Sequence, residues 1–121
     1  MREIEFRGRV KDEPDEFVYG LLVSNSAIHQ LKETKNSKCC GCGVFTVYPE
    51  SIGQYTGCRD HNKIKIYEHD IAKDRDNGEL YEVIYHDCAF CLFDMQGNYQ
   101  WFLGDWDMDF LEVVGNTHEI N

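Results

Sequence analysis

The sequence predicts an all-β fold, a small SH3-like barrel with additional N-terminal strands, on three observations. Apolar and polar residues alternate with period 2 along most of the 121 residues, as strands with one buried face require. A period near 3.6 is almost absent. Clusters of Pro, Asp, Asn and Gly punctuate the alternating runs and leave eight short strands, a pattern that suits a barrel or a sandwich.

The first strand is "EIEFRGRV", where Ile4, Phe6 and Val10 share one face and Glu3, Glu5, Arg7 and Arg9 the other. "KDEPDE" turns the chain around Pro14, and "FVYGLLVS" resumes the alternation with Phe17, Tyr19, Leu21 and Val23 on one side. These two strands are expected to form a hairpin. Residues 24–43 break the pattern with small and polar side chains, and Ala27, Ile28 and Leu31 offer one helical turn at most, so the segment reads as a loop. Strands return as "VFTVY", "IKIYE" and "LYEVIYH". Before the last of these, Asn77-Gly78 is the strongest hairpin signal in the chain, because a type I′ turn needs positive φ at both central residues. "AFCLFD", "YQWFLG" and "FLEVVGN" complete the count, and no internal repeat or heptad is visible. The expected organisation is a single domain over residues 1–121, with N-terminal strands and a loop over 1–50 and the barrel portion over 51–121.

Composition narrows the function classes. At 42% hydrophobic and 13% aromatic residues the chain is too apolar to stay disordered. It has no apolar run near the roughly 20 residues that a membrane helix needs. "MREIEFRGRV" lacks the apolar stretch of a secretory signal, so a cytoplasmic location is expected. Twenty-two acids against twelve bases give a formal charge of −10, which repels a phosphate backbone. Direct nucleic-acid binding is therefore not expected. A dispersed acidic surface keeps a protein soluble; a sharper reading is that it imitates DNA.

The stretch "IGQYTGCRDHNKIKIYEHDIAK", residues 52–73, holds the densest group of polar residues. His61, His69 and Asp70 could be taken as a catalytic or metal cluster, but Asp60-His61-Asn62 also has the chemistry of a turn that leads into the Ile64-x-Ile66 strand. The turn is the expected role. Six cysteines include two Cys-x-x-Cys pairs, Cys39–Cys42 and Cys88–Cys91. Four thiolates could hold a structural zinc, as could three with His29 or Cys58. Cys88 and Cys91 lie in an apparent strand, where a spacing of three puts side chains on opposite faces. Free thiols are expected, with no metal. His86 would share a strand face with Cys88, yet nothing supplies the orienting acid and oxyanion donors of a thiol catalyst.

Asp105, Asp107 and Asp109 alternate like the start of a calcium loop, but the sixth position is Phe110 instead of Gly and the twelfth is Asn116 instead of Glu. They read as an outward face, with Trp106 and Met108 packing inward. Tyr99, Trp101, Phe102 and Trp106 could stack bases, but no Lys or Arg follows residue 75 to line a positive groove. Core or a subunit interface is expected for them. Phosphate loops, dinucleotide fingerprints and nucleophile elbows are absent from the sequence. No catalytic, cofactor-binding or metal-ligating residue is assigned.

The block "ESIGQYTGCRDHNKIKIYEHDI", with the opening "MREIEFRG" and the closing "LEVVGN", resembles the YopX family of small phage and prophage proteins. In that family a Gln-Tyr-Thr-Gly box precedes Asp-x-Asn-Gly and Ile-Tyr-Glu-Gly-Asp-Ile, and the chain ends in Leu-Glu-Val-Ile-Gly-Asn. The resemblance covers about the first 10 residues, 50–73 and 110–117. Lys63 and His69 stand where the family has Gly. The resemblance implies a phage origin and a small β-rich fold, and brings no established catalytic residues. The expected role is a non-enzymatic accessory protein of the bacterial cytoplasm that binds a protein partner or a second copy of itself. The alternative is an acidic DNA mimic that regulates a host nucleic-acid enzyme. Tyr55, in the box, is expected to be buried.

Overall fold

A computed structural model describes residues 3–13, 16–30 and 43–118. They form β1 (Phe6–Arg9), β2 (Phe17–Ser24), β3 (Ala27–Gln30), β4 (Gly43–Thr46), β5 (Gly53–Arg59), β6 (Lys65–Tyr67), β7 (Asp70–Asp74), β8 (Leu80–His86), β9 (Ala89–Asp94), β10 (Tyr99–Phe102) and β11 (Leu111–Asn116). The only helical segments among the described residues are three short 3₁₀ turns. The chain is all-β and antiparallel, and the strand pairings make two open sheets where a closed SH3-like barrel was expected. It divides into two compact units, one ending at Tyr55 and including His118, the other spanning Thr56–Thr117.

In the first unit the strand order is β4-β3-β2-β1-β5. The expected β1–β2 hairpin is present, with Phe6 opposite Gly20 and Arg9 opposite Phe17. The Pro14 turn lies outside the described residues, as do residues 31–42. The core is Val10, Val18, Ile28 and Val47, with Phe6, Phe45 and Ile52 packed against it. Two expectations are corrected here. Residues 27–30 are a strand, not a loop, because Ile28 supplies a core position and β3 pairs on both sides. In β2 the buried residue is Val18, on the face opposite the expected one because it joins Val10, Ile28 and Val47 in the core, while Leu21 and Val23 are exposed near a register shift between Leu22 and Ser24.

In the second unit the latter half of β5 lies beside β6, and a five-stranded sheet runs β10-β9-β8-β7-β11. Its core is Ile66, Ala72, Tyr81, Val83, Leu92, Leu103 and Leu111. Strand β7, "DIAKD", escapes a sequence reading because Asp at both ends is unfavourable to strands. Its buried face is Asp70, Ala72 and Asp74. The carboxylates are tolerated there because they accept local backbone hydrogen bonds: Tyr67 N donates to Asp70 Oδ2 at 2.7 Å, and Asp76 N donates to Asp74 Oδ1 at 2.8 Å.

The turns differ from their sequence signals. At Asn77-Gly78 only Gly78 has positive φ, so the loop is not type I′. It closes instead through Gly78 N donating to Asp74 O and Asp74 N donating to Glu79 O, both 2.8 Å. The two-residue turn with both residues at positive φ is Asp87-Cys88, at 50° and 66°, between paired His86 and Ala89.

Lys63 and His69 also sit at positive φ, 66° and 77°, where the resemblance has glycine. The chain therefore carries side chains in a region that costs about 1 kcal/mol each. Lys63→Gly should relieve that strain but loosen the unfolded chain, giving a net gain of about 0.5 kcal/mol. A rise in the urea midpoint at unchanged slope would show it.

Candidate functional site

Asp60 organises the polar turn. It is 2% exposed, and its two carboxylate oxygens accept three backbone hydrogen bonds. Asn62 N and Ile64 N donate to Oδ1 at 2.8 and 3.0 Å, and Val113 N donates to Oδ2 at 2.9 Å. The main chain adds His61 N to Leu111 O at 3.1 Å and Lys63 N to Asp60 O at 2.9 Å. This carboxylate joins the turn to β11, and its acceptor capacity is spent on amides. Asp70 caps Tyr67 in the same manner. His69 lies 3.7 Å from Glu82.

Among the described residues no three His, Cys, Asp or Glu side chains are gathered as a metal site requires. Cys39, Cys40 and Cys42 lie outside those residues, so the Cys39/Cys42/Cys88/Cys91 set is described only in its second half. There Cys88 is exposed in the turn while Cys91 is buried in β9. Burial, and then the negative charge of Asp87, push the Cys91 thiol up, away from the thiolate form that a nucleophile or ligand needs. Burial likewise raises Cys58. Cys88 belongs to the turn and not to the strand that carries His86, so the two do not share a strand face; His86 Nε2 instead lies 3.3 Å from Asp87 Oδ2.

The surface feature that remains is β10. It pairs with β9 and is the last strand on that side of its sheet. All four of its residues are exposed, with Tyr99 at 46%, Trp101 at 49% and Phe102 at 45%. Of the two roles expected, core or a subunit interface, their exposure excludes the core for these three.

Asp94 builds the turn that delivers β10. Its Oδ1 accepts from Asn98 N and Gln96 N at 2.9 and 3.0 Å, and its Oδ2 accepts from Gln100 Nε2 at 3.0 Å and Asn98 Nδ2 at 3.4 Å. These bonds, the Asn98 amide first, hold its carboxyl below the ordinary 3.8. A depressed folded value means the turn is stabilised above the ordinary value and loses that support as pH falls below it. Amide exchange at Gln96 and Asn98 should therefore speed up below about pH 4 relative to the β8–β9 amides, and Asp94→Asn should flatten that difference.

After β10, Leu103 is buried as an anchor and the chain makes 3₁₀ turns at Leu103–Asp105 and Met108–Phe110. Asp107 caps the second by accepting from Asp109 N at 3.0 Å. Asp105, Asp107 and Asp109 are exposed while Trp106 and Met108 pack on the core, which matches the alternation read from sequence. Trp106 meets Tyr81 edge-on at 5.9 Å and Trp101 at 6.2 Å, with 72° between the two indole planes. Trp101, Trp106, Asp105 and Asp107 line a cleft of about 250 Å³. A second, of about 370 Å³, is lined by His86, Asp87, Tyr99 and Phe102. Phe93 connects its rings, 5.3 Å from His86 and 5.9 Å from Tyr99. Desolvation above all raises the Tyr99 hydroxyl, which stays neutral.

Sequence reasoning noticed these aromatics but not their exposure. The available signal was the run of acids Asp105, Asp107 and Asp109 directly after these aromatics, since charged residues mark an edge. Among the described residues no helix is long and apolar enough to cross a membrane.

The family model described as YopX protein matches residues 5–120. No curated protein matches the chain. Among solved structures, the chain is similar to protein EF1440 from Enterococcus faecalis at 20% identity and a TM-score of 0.52, over 98% of this chain and 96% of that one. At that identity the likeness shows the fold alone.

Proposed function

The chain belongs to the YopX family, and from that premise we propose that it is a non-enzymatic phage or prophage accessory protein acting in the bacterial cytoplasm by binding another protein. The observation that carries this reading is β10, an edge strand with three large exposed aromatics beside acidic turns. Aromatic anchors within a charged rim are the usual anatomy of a protein interface. The polar groups that could have done chemistry are otherwise engaged: Asp60 and Asp70 hold backbone amides, and Cys91 is buried and protonated.

The acidic-mimic reading draws support from one further fact, that residues 76–117 contain nine Asp and Glu and neither Lys nor Arg. Salt-sensitive inhibition of a host nuclease would favour it. For the leading reading, the test is affinity capture from phage-bearing cells with the wild-type chain and with Trp101→Ser/Phe102→Ser. Both side chains are exposed, so melting should change little, while the captured protein should fall at least about tenfold, as loss of hot-spot aromatics produces. Undiminished capture by the double variant would contradict it.

A further inference from the structure

We infer that β10 is the docking edge for an extended, basic polypeptide segment, one of whose Lys or Arg side chains seats in the cleft between Trp101 and Trp106. The inference rests on the protein-binding reading above and names the chemistry of the partner.

Three features converge on it. The indoles of Trp101 and Trp106, 6.2 Å apart and inclined at 72°, form two walls of a cleft whose other lining residues are Asp105 and Asp107. A π face attracts a cation, the carboxylates neutralise it, and the methylene stem of Lys or Arg covers the ring surface. Asp107 is fixed for this by its hydrogen bond from Asp109 N. Next, β10 is the terminal strand of its sheet, so its outward N–H and C=O groups can take an added strand. Trp101 and Phe102 are successive strand residues and face opposite ways. A paired segment would therefore direct its cation to the Trp101 cleft and its next side chain toward the one lined by Phe102 and Tyr99.

The third feature is charge. With nine acids and no Lys or Arg across residues 76–117, this region repels anionic ligands and draws a basic one. The same charge counts against a second copy of β10 as the occupant, since that pairing would bring two edges rich in Asp and free of Lys and Arg together.

The test uses the full chain and a synthetic heptapeptide, Thr-Val-Thr-Lys-Val-Thr-Val, with central Arg, norleucine and Glu versions. Binding is read from tryptophan fluorescence and from the indole Nε1–H resonances of Trp101 and Trp106. The Lys and Arg peptides should bind at least tenfold tighter than the norleucine peptide, shift both indole resonances, and weaken as salt rises. Trp101→Leu, and separately Asp105→Asn, should each reduce that affinity several-fold with an unchanged melting temperature. Trp106 packs on the core, so it is left intact. Equal binding of the norleucine and Lys peptides, absence of binding by either cationic peptide, or concentration-dependent dimers that Trp101→Leu dissolves would each overturn the basic-segment assignment. Partner capture that still requires Trp101 and Phe102 would then leave the protein-binding reading standing. Capture indifferent to both residues would remove that reading as well.

Discussion

Asp60→Ala should cost about 4 kcal/mol, because it leaves the amides of Asn62, Ile64 and Val113 without their acceptor, and each lost partner of a buried amide costs about 1–3 kcal/mol. Water entering the vacated space offsets part of the sum. For a domain whose whole stability is about 5–15 kcal/mol, the loss is a large share. It should appear as a lower denaturant midpoint together with fast amide exchange at Ile64 and Val113, since the carboxylate is what joins the turn to β11. Asp60→Asn keeps one carbonyl acceptor but turns an NH₂ toward a donor, and should cost about half as much. If Asp60 were a catalytic or metal residue instead, its removal would leave stability unchanged or raise it, as relief of a strained site does.

Tyr55→Ala is the second large effect. Tyr55 is 7% exposed, and its amide donates to Glu5 O at 2.7 Å, holding the start of β5 against the chain ahead of β1. Removing a buried ring of that size should lower stability by about 3 kcal/mol. Tyr55→Phe keeps the buried ring and should cost no more than about 1 kcal/mol. Binding of a protein partner should decline only as far as folding does. A recognition loop would behave in the opposite way, with the melting temperature held and binding lost. The glycines flanking this tyrosine fit a structural box: Gly53 pairs with Arg7 in the sheet, and Gly57 has φ of +91°, open to glycine and strained for other residues.

The fold was legible where one face is buried and the other solvated. The boundaries of β8 and β9 coincide with "LYEVIYH" and "AFCLFD": in β8, Tyr81 and Val83 alternate cleanly with exposed or half-buried neighbours, and β9 is a short apolar run with Cys91 and Leu92 both buried. Strands β3, β5 and β7 were not legible. Each keeps a polar residue on its buried side or a glycine within it, as Gln30, Gly53 and Asp70 show, and hydrophobic periodicity cannot register a position whose cost is met by a hydrogen bond. The type I′ signature expected at Asn77-Gly78 is absent there, and a turn with both residues at positive φ stands instead at Asp87-Cys88, where none was expected, for a similar reason. Pairing of β7 with β8 and β11 fixes one loop, and the tight register of β8 against β9 forces the other, so strand pairing overrides local turn preference.

The candidate site was half legible. The composition of Tyr99, Trp101, Phe102 and Trp106 is visible in the sequence, as is the run of acids around Trp106. The inward packing of Trp106 is legible too, from its alternation with Asp105 and Asp107. The exposure of Tyr99, Trp101 and Phe102 is not, because it depends on which strand ends the sheet, and Trp101 stands out from that edge while Trp106 packs on the core. The functional reading follows from that separation.

The most direct measurement is site-specific photocross-linking in phage-bearing cells. A photoreactive side chain replaces Gln100, which is exposed in the middle of β10, and in a parallel sample Glu79, which is exposed in the β7–β8 loop. If the chain works through its aromatic edge, position 100 should give a discrete protein adduct that Trp101→Ser abolishes, and position 79 should give none. Discrete adducts from position 79 with none from position 100 would contradict it.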